Sequence, residues 1–298
     1  MKKMLFLIPA VWGLLLFGCG EKEFKAEVSQ GPNPWTNLNF YNKAENFQFA
    51  VMSDRTGGHI PGIYEDAISK VNLLKPEFVM SVGDLIEGDS KDKEVLRSQW
   101  DEFDGIIGKL EMPFFYLPGN HDFSSMPRAQ LWNERLGRSY YHFVYRDVLF
   151  LCFNTEELPE TTLISQEQLE YFTKTLKRNS RARWVLVFMH KPMWEYLGKN
   201  PAKEQMWQKF ETLLAGKNFT VFAGHKHRYG ITERNGHKYY VLSINQKGQQ
   251  VVEQCRFDHF MWVTMTDNGP DVANVMLNGI TGDEPCPKEG HAGQVSYP

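Results

Sequence analysis

Four short polar clusters in this 298-residue chain carry side chains suited to hard cations, and each follows an apolar run. They are Ser53-Asp54-Arg55-Thr56, Gly83-Asp84, Gly119-Asn120-His121-Asp122 and Gly224-His225-Lys226-His227, with His190 directly after Phe188-Met189. Carboxylate and amide oxygens mixed with imidazoles suit Mn, Fe or Zn, and no thiolate belongs to the set. Singly, each piece has a plainer reading: Gly-Asp as a turn, His190 as a core or surface histidine, Asp54 as a helix N-cap. Together and in this order they point to a metal centre. A glycine before a ligand lets the backbone turn sharply where a side chain would clash.

The elements that must position these clusters follow from the apolar pattern. Short runs predict strands at Phe47–Met52, Phe78–Val82, Phe114–Leu117, Trp184–Met189 and Phe219–Phe222. Helical spacing recurs in Ile63, Ala67, Ile68, Val71 and Leu74, stopped by Lys75-Pro76, and again in Val95, Leu96, Trp100, Phe103, Ile106 and Ile107. Tyr140–Tyr145 and Val148–Phe153 read as a hairpin about Arg146-Asp147. Ser165 with Gln168 reads as a capping box for a helix to about Lys177, and a further helix lies near 203–215. Tyr229–Glu233 and Lys238–Ile244 flank Asn235-Gly236, a strong two-residue turn signal, and two more strands follow near 260–266 and 272–277. Strand–helix alternation followed by hairpins implies a layered α/β fold with mixed sheets. Ligands gathered at strand ends along one sheet edge suit such a fold.

The ordered set resembles the calcineurin-like metallophosphoesterase family, whose motifs run Asp-x-His, Gly-Asp, Gly-Asn-His-(Asp/Glu), a single His and Gly-His-x-His. The resemblance implies two mixed β-sheets packed as a sandwich flanked by helices, with the metals at a loop-rich end. It implies that Asp84 bridges two cations, that Asp54 and His227 serve the first, and that Asn120, His190 and His225 serve the second. His121 matches the family's histidine that contacts the phosphate or protonates the leaving oxygen, and Asp122 is expected to orient it. The implied reaction is hydrolysis of a phosphomonoester or phosphodiester by a hydroxide bridging the cations, with the attacking and leaving oxygens both stabilised. The cofactors would be two divalent or trivalent ions, Mn, Fe or Zn. The departure is Thr56, which stands where the family has a metal-binding His. A hydroxyl is a poorer ligand than imidazole, so the first site is expected to be weaker, unless His59 folds back to complete it. The competing reading is a catalytically weak or inactive metal-binding lipoprotein that keeps the fold. Arg55 is expected either to clamp a phosphate oxygen or to pair with an acidic neighbour. Trp194 and Tyr196 are expected either to stack on an aromatic leaving group or to pack in the core.

Composition bounds the remainder. Apolar residues at 42% and charged residues at 23% are ordinary for a globular chain able to bury a sizeable core. The net charge of −3 gives no basic excess for nucleic acid, so a small phosphate ester is the expected substrate and a nuclease is disfavoured. Lys2 and Lys3 precede an apolar run from Met4 to Phe17, ending Leu16-Phe17-Gly18-Cys19. That ending resembles a bacterial lipobox. The expected organisation is a lipoprotein signal peptide at 1–18, a tether at 19–45, the metallophosphoesterase domain at 46–280 and a peripheral tail at 281–298. Cys19 would carry a lipid anchor, holding the exported protein on a bacterial membrane facing the periplasm or the cell surface. Cys152, in an apolar run, reads as a buried core thiol, and Cys255 and Cys286 are candidates for a bridge.

Overall fold

A computed structural model describes residues 45–57, 59–159, 164–196, 201–242, 257–277 and 279–282. The expected signal peptide, Cys19, nearly all of the tether and the Cys255–Cys286 pair lie outside the described residues. Among the described residues, no helix is long and apolar enough to cross a membrane.

Two six-stranded sheets face each other. In the first, β1 (Phe47–Met52) pairs in parallel with β2 (Val79–Ser81), which pairs in parallel with β3 (Phe114–Phe115). The other edge of β1 takes β10 (His259–Thr266), β11 (Gly269–Met276) and β12 (Gly279–Gly282), all antiparallel. The second sheet runs β4-β5-β6-β7-β9-β8. Its centre is the parallel set β5 (Val148–Cys152), β6 (Trp184–Met189), β7 (Phe219–Ala223) and β9 (His237–Val241). The hairpin partners β4 (Tyr141–Tyr145) and β8 (Gly230–Arg234) close its two edges.

The period-2 alternation of the strands makes four layers. Phe47, Phe49 and Val51 of β1 and Phe150 of β5 point between the sheets, where they meet Phe188, Phe222 and Met261. Ala50 and Met52 point outward, onto α1 (Ile63–Leu74), α2 (Lys93–Ile107) and α4 (Met126–Arg135). Leu149 and Leu151 point outward on the other side, against α5 (Gln166–Arg178) and α6 (Pro201–Leu213). Strands covered on both faces are largely apolar, which is why β5 and β6 read as unbroken apolar runs. Cys152 is the buried free thiol expected of it.

Three local outcomes differ from the sequence reading. Residues 118–139, assigned no element, form α3 (Asn120–Phe123) and α4. The capping box at Ser165 forms only in half. Ser165 Oγ accepts from Gln168 N at 3.1 Å, but the Gln168 side chain is drawn to the Asn154 backbone, and Glu157 accepts from Ser165 N instead. Finally, β12 runs to Gly282, so residues 281 and 282 belong to the sheet edge and not to the tail.

Candidate metal centre

The loops that leave β1, β2, β3, β6 and β7 meet at one end of the sandwich. Thr56 N donates to Asp84 O at 3.2 Å, which ties the first loop to the second. His121 N donates to Asp84 Oδ1 at 2.9 Å, and His225 N donates to Asp54 Oδ1 at 2.7 Å. Two sets of donor atoms lie within 4.8 Å of one another: Asp84, His190 and His225, and then Asp54, Asp84 and His227. Asp84 belongs to both. Asn120 joins the first set, its Oδ1 standing 3.1 Å from His190 Nε2. The structure therefore brings these six side chains together at one end of the sandwich.

Glycines make this approach possible. A Cβ on Gly119 would collide with the Asp84 carboxylate and backbone N, and a Cβ on Gly224 would meet Asp54 Oδ2 at 2.5 Å. Neither needs a left-handed backbone; what matters is the missing side chain. Gly83, at φ +96°, needs both the freedom and the space, since its Cβ would meet His190 Nδ1 at 2.9 Å. Three of the candidate ligands themselves occupy the left-handed region: Asp84 at φ 57°, His225 at 73° and His227 at 48°. Such conformations cost about 1–3 kcal/mol each and gather where surrounding structure holds a working geometry.

The protonation pattern tests whether cations fit. His190 Nδ1 lies 2.8 Å from Val82 O, and a carbonyl only accepts, so Nδ1 carries the hydrogen. The lone pair of Nε2 then faces Asp84 Oδ2 and Asn120 Oδ1, both at 3.1 Å. Three lone pairs converge in a buried place, an arrangement that needs a cation or an extra proton between them. Burial opposes a charge on His190, but Asp84, Asp54 and Glu156 outweigh it and push its pKa up to about 10. Burial likewise opposes a charge on Asp84, yet His190 and His121 hold it at about 2. Burial and the charges of His190 and Lys191 push His225 down to about 3, leaving a neutral imidazole with a free lone pair. Burial raises Asp54 above the usual carboxylate range, a charge that a cation would restore. The donor set of oxygens and neutral imidazoles fits two hard or borderline cations.

His121 Nδ1 is 2.6 Å from Glu87 O, so it too is the protonated nitrogen, and Nε2 is left to exchange a proton. Two expectations need correction. Asp122 does not orient His121: its carboxylate accepts from Leu85 N, Ile86 N and Gly119 N at 2.8–3.1 Å. It stitches the Gly-Asp loop to the Gly-Asn-His-Asp loop, and burial together with Asp84 raises its pKa to about 7. Arg55 is buried, paired with Glu102 and directed at Leu85 O, so of its two expected roles it takes the structural one. His59 belongs to neither donor set; its Nδ1 lies 3.8 Å from Glu87 Oε1. Trp194 is buried against Trp207 and Tyr239, and Lys226 covers the Tyr196 ring at 5.5 Å.

The reading from sequence missed the buried Lys191–Glu156 pair at 2.8 Å, with Lys191 N donating to Thr155 Oγ1 at 3.1 Å. It braces the His190 loop from behind. It also missed Glu87, because an isolated Glu on a loop carries no pattern.

The sequence profile of the calcineurin-like phosphoesterase family matches residues 47–229. No curated protein matches the chain. Among solved structures, a dimetal phosphatase from Danio rerio is similar at 14% identity and TM-score 0.59, covering 80% of this chain and 96% of its own. The structure titled PhoD is similar at 13% identity and TM-score 0.57, with 84% and 73% covered. GAP50 of Plasmodium, the anchor in the inner membrane complex, is similar at 15% identity and TM-score 0.56, with 82% and 92% covered. At these identities the likeness is one of fold.

Proposed function

The chain belongs to the calcineurin-like phosphoesterase family, and on that premise we propose that it is a metal-dependent hydrolase of a small phosphate ester. The observation that carries this reading is the convergence of His190 Nε2, Asp84 Oδ2 and Asn120 Oδ1 on one point, beside the Asp54–Asp84–His227 trio. Two cations held there would supply positive charge for the phosphate and lower the pKa of water.

The chain's own residues do the rest. Asp84 and Asp54 would hold the cations while offsetting part of their positive charge, and neutral imidazoles of His190, His225 and His227 would add donors without cancelling more of it. His121, fixed through Nδ1 by Glu87 O, presents Nε2 as the proton carrier at the leaving oxygen, an effect worth about 10²–10⁴ in rate. Lys191 is paired with Glu156, and Lys226 and Arg228 with Glu195, so positive charge for the phosphate would come from the cations.

The test uses purified protein loaded with Mn²⁺, Zn²⁺ or Fe²⁺ and given p-nitrophenyl phosphate or its bis-ester between pH 5 and 9. Metal-dependent release is expected with at least one ester; none with either would leave the competing reading, a metal-binding protein without turnover, favoured by Thr56. The same proposal places the protein outside the cytoplasm on a lipid anchor at Cys19, supported by Lys2, Lys3 and the apolar run to Phe17.

A further inference from the structure

The imidazole of His190 springs from a residue whose following peptide plane is held at both of its polar atoms. His190 O accepts from Gly224 N at 2.9 Å, which ties this loop to the one carrying His225. Across the same planar bond, Lys191 N donates to Thr155 Oγ1 at 3.1 Å. Thr155 is itself fixed, because its hydroxyl donates to Glu156 Oε1 at 3.1 Å, while Lys191 Nζ donates to Glu156 Oε2 at 2.8 Å. Three residues thus close a ring of hydrogen bonds around the backbone next to His190. The ring is anchored in turn: Glu156 N donates to Asn154 Oδ1 at 2.7 Å, and Asn154 N to Gln168 Oε1 of α5 at 2.9 Å. Thr155 and Glu156 are fully buried, and Lys191 is 6% exposed. A buried ion pair is a poor source of stability, since an apolar pair of similar volume is often as good or better. What it supplies is direction, because a hydrogen bond fixes an angle that packing alone leaves loose.

We propose that Thr155, Glu156 and Lys191 are positioning residues for the second cation site, a clamp that sets the aim of His190. They act through the peptide plane and donate nothing to a cation. Their effect is to keep His190 Nε2 directed at Asp84 Oδ2 and Asn120 Oδ1. The clamp joins the loops after β5, β6 and β7, all on the second sheet, whereas Asp54 and Asp84 stand on loops of the first. Its loss therefore falls on the His190–His225 side of the centre. This rests on the two-cation reading above, and the experiment separates the two.

The full chain, stripped by chelation, is titrated calorimetrically with Mn²⁺, and His225→Ala and His227→Ala identify which binding event belongs to which site. Two variants then open the clamp. Glu156→Leu/Lys191→Met removes both buried charges together, so that neither is stranded. Thr155→Val removes the acceptor of Lys191 N at nearly constant shape, and Thr155→Ser, which keeps the hydroxyl, is its control. Melting temperature in chelator reports folding; should either opened variant fail to fold, the other carries the test. The opened variants should keep that melting temperature, weaken the His225-dependent event about tenfold or more, and leave the His227-dependent event within about twofold. Thr155→Ser should bind as wild type does. Equal weakening of both events, two unchanged affinities, or a Thr155→Ser as weak as Thr155→Val would overturn the assignment, as would a wild type with no His225-dependent event. If the events respond as expected and wild type cleaves neither ester, the clamp stands and the hydrolase reading falls.

Discussion

At the scale of single residues, the site depends on which atom of each histidine holds hydrogen. Backbone carbonyls decide this, Val82 O for His190 and Glu87 O for His121. His121→Ala should keep both cations, measured by metal analysis, and lose about 10²–10⁴ in turnover. Loss of metal in that variant would make His121 a structural residue. A pH effect follows from His190. Its folded pKa of about 10 lies above the ordinary imidazole value of 6.5, so its stabilising contribution is complete below about pH 6.5 and is lost as pH rises toward 10. Melting temperature in chelator should therefore fall between pH 7 and 10, and saturating Mn²⁺ should abolish the fall by taking the proton's place. A flat profile in chelator would mean that the lone pairs of His190, Asp84 and Asn120 do not converge as described. Asp122, raised to about 7, has the same sign over a lower window, from about pH 4 to 7.

At the scale of elements, turn chemistry separates two hairpins. Asn235 and Gly236 take φ 51° and 76°, the primed turn that their sequence signals, and nothing lies within 4 Å of a Cβ on Gly236. Gly236→Ala should therefore cost about 1–2 kcal/mol of purely backbone origin, read by denaturant midpoint with metal content unchanged. A loss well beyond that would point to a side-chain contact absent from the turn. Arg146 and Asp147 make the same turn at φ 44° and 58° without glycine. Arg146 is held there by bonds to Asn46 O and Glu77, and Asp147 O accepts from Arg183 N. The helix α4 was illegible for a different reason. Only Ala129, Leu131 and Trp132 of its ten residues are buried, too sparse a stripe to stand out. It persists because Trp132 packs edge-on against Trp100 at 5.7 Å, and Arg128 bonds Asn120 O at 3.1 Å. The start signal of Ser125 before Met126-Pro127 was present and went unused.

At the scale of the whole molecule, two apolar sheets provide an end wall on which five loops can be held in mutual contact. The parallel centre of each sheet directs those loops to the same end, where ligand sites form in layered α/β folds. The proposed anchor at Cys19 would tether the protein to a membrane through residues 19–45. Cys19→Ala should move the protein from the membrane fraction to the soluble fraction after export, with a mass lacking acyl chains. Retention in membranes would refute the lipid anchor and favour a different attachment.

The amino-acid sequence by itself determined the ligand types, their order and the strands they follow, because apolar runs and glycine-flanked polar clusters are local patterns. It also marked the departure from the family's motif series, since Thr56 is read directly. Only the tertiary structure decided the second role of each polar residue, because those roles are contacts between residues far apart in the chain. Asp122 serves backbone amides 37 and 36 residues away instead of the adjacent imidazole. Arg55 serves Glu102, 47 residues on, instead of a phosphate. Glu87 serves the backbone of His59, 28 residues back, and no spacing rule announces it. Coordination chemistry is legible in residue types, whereas second partners depend on which loops the sheets bring face to face.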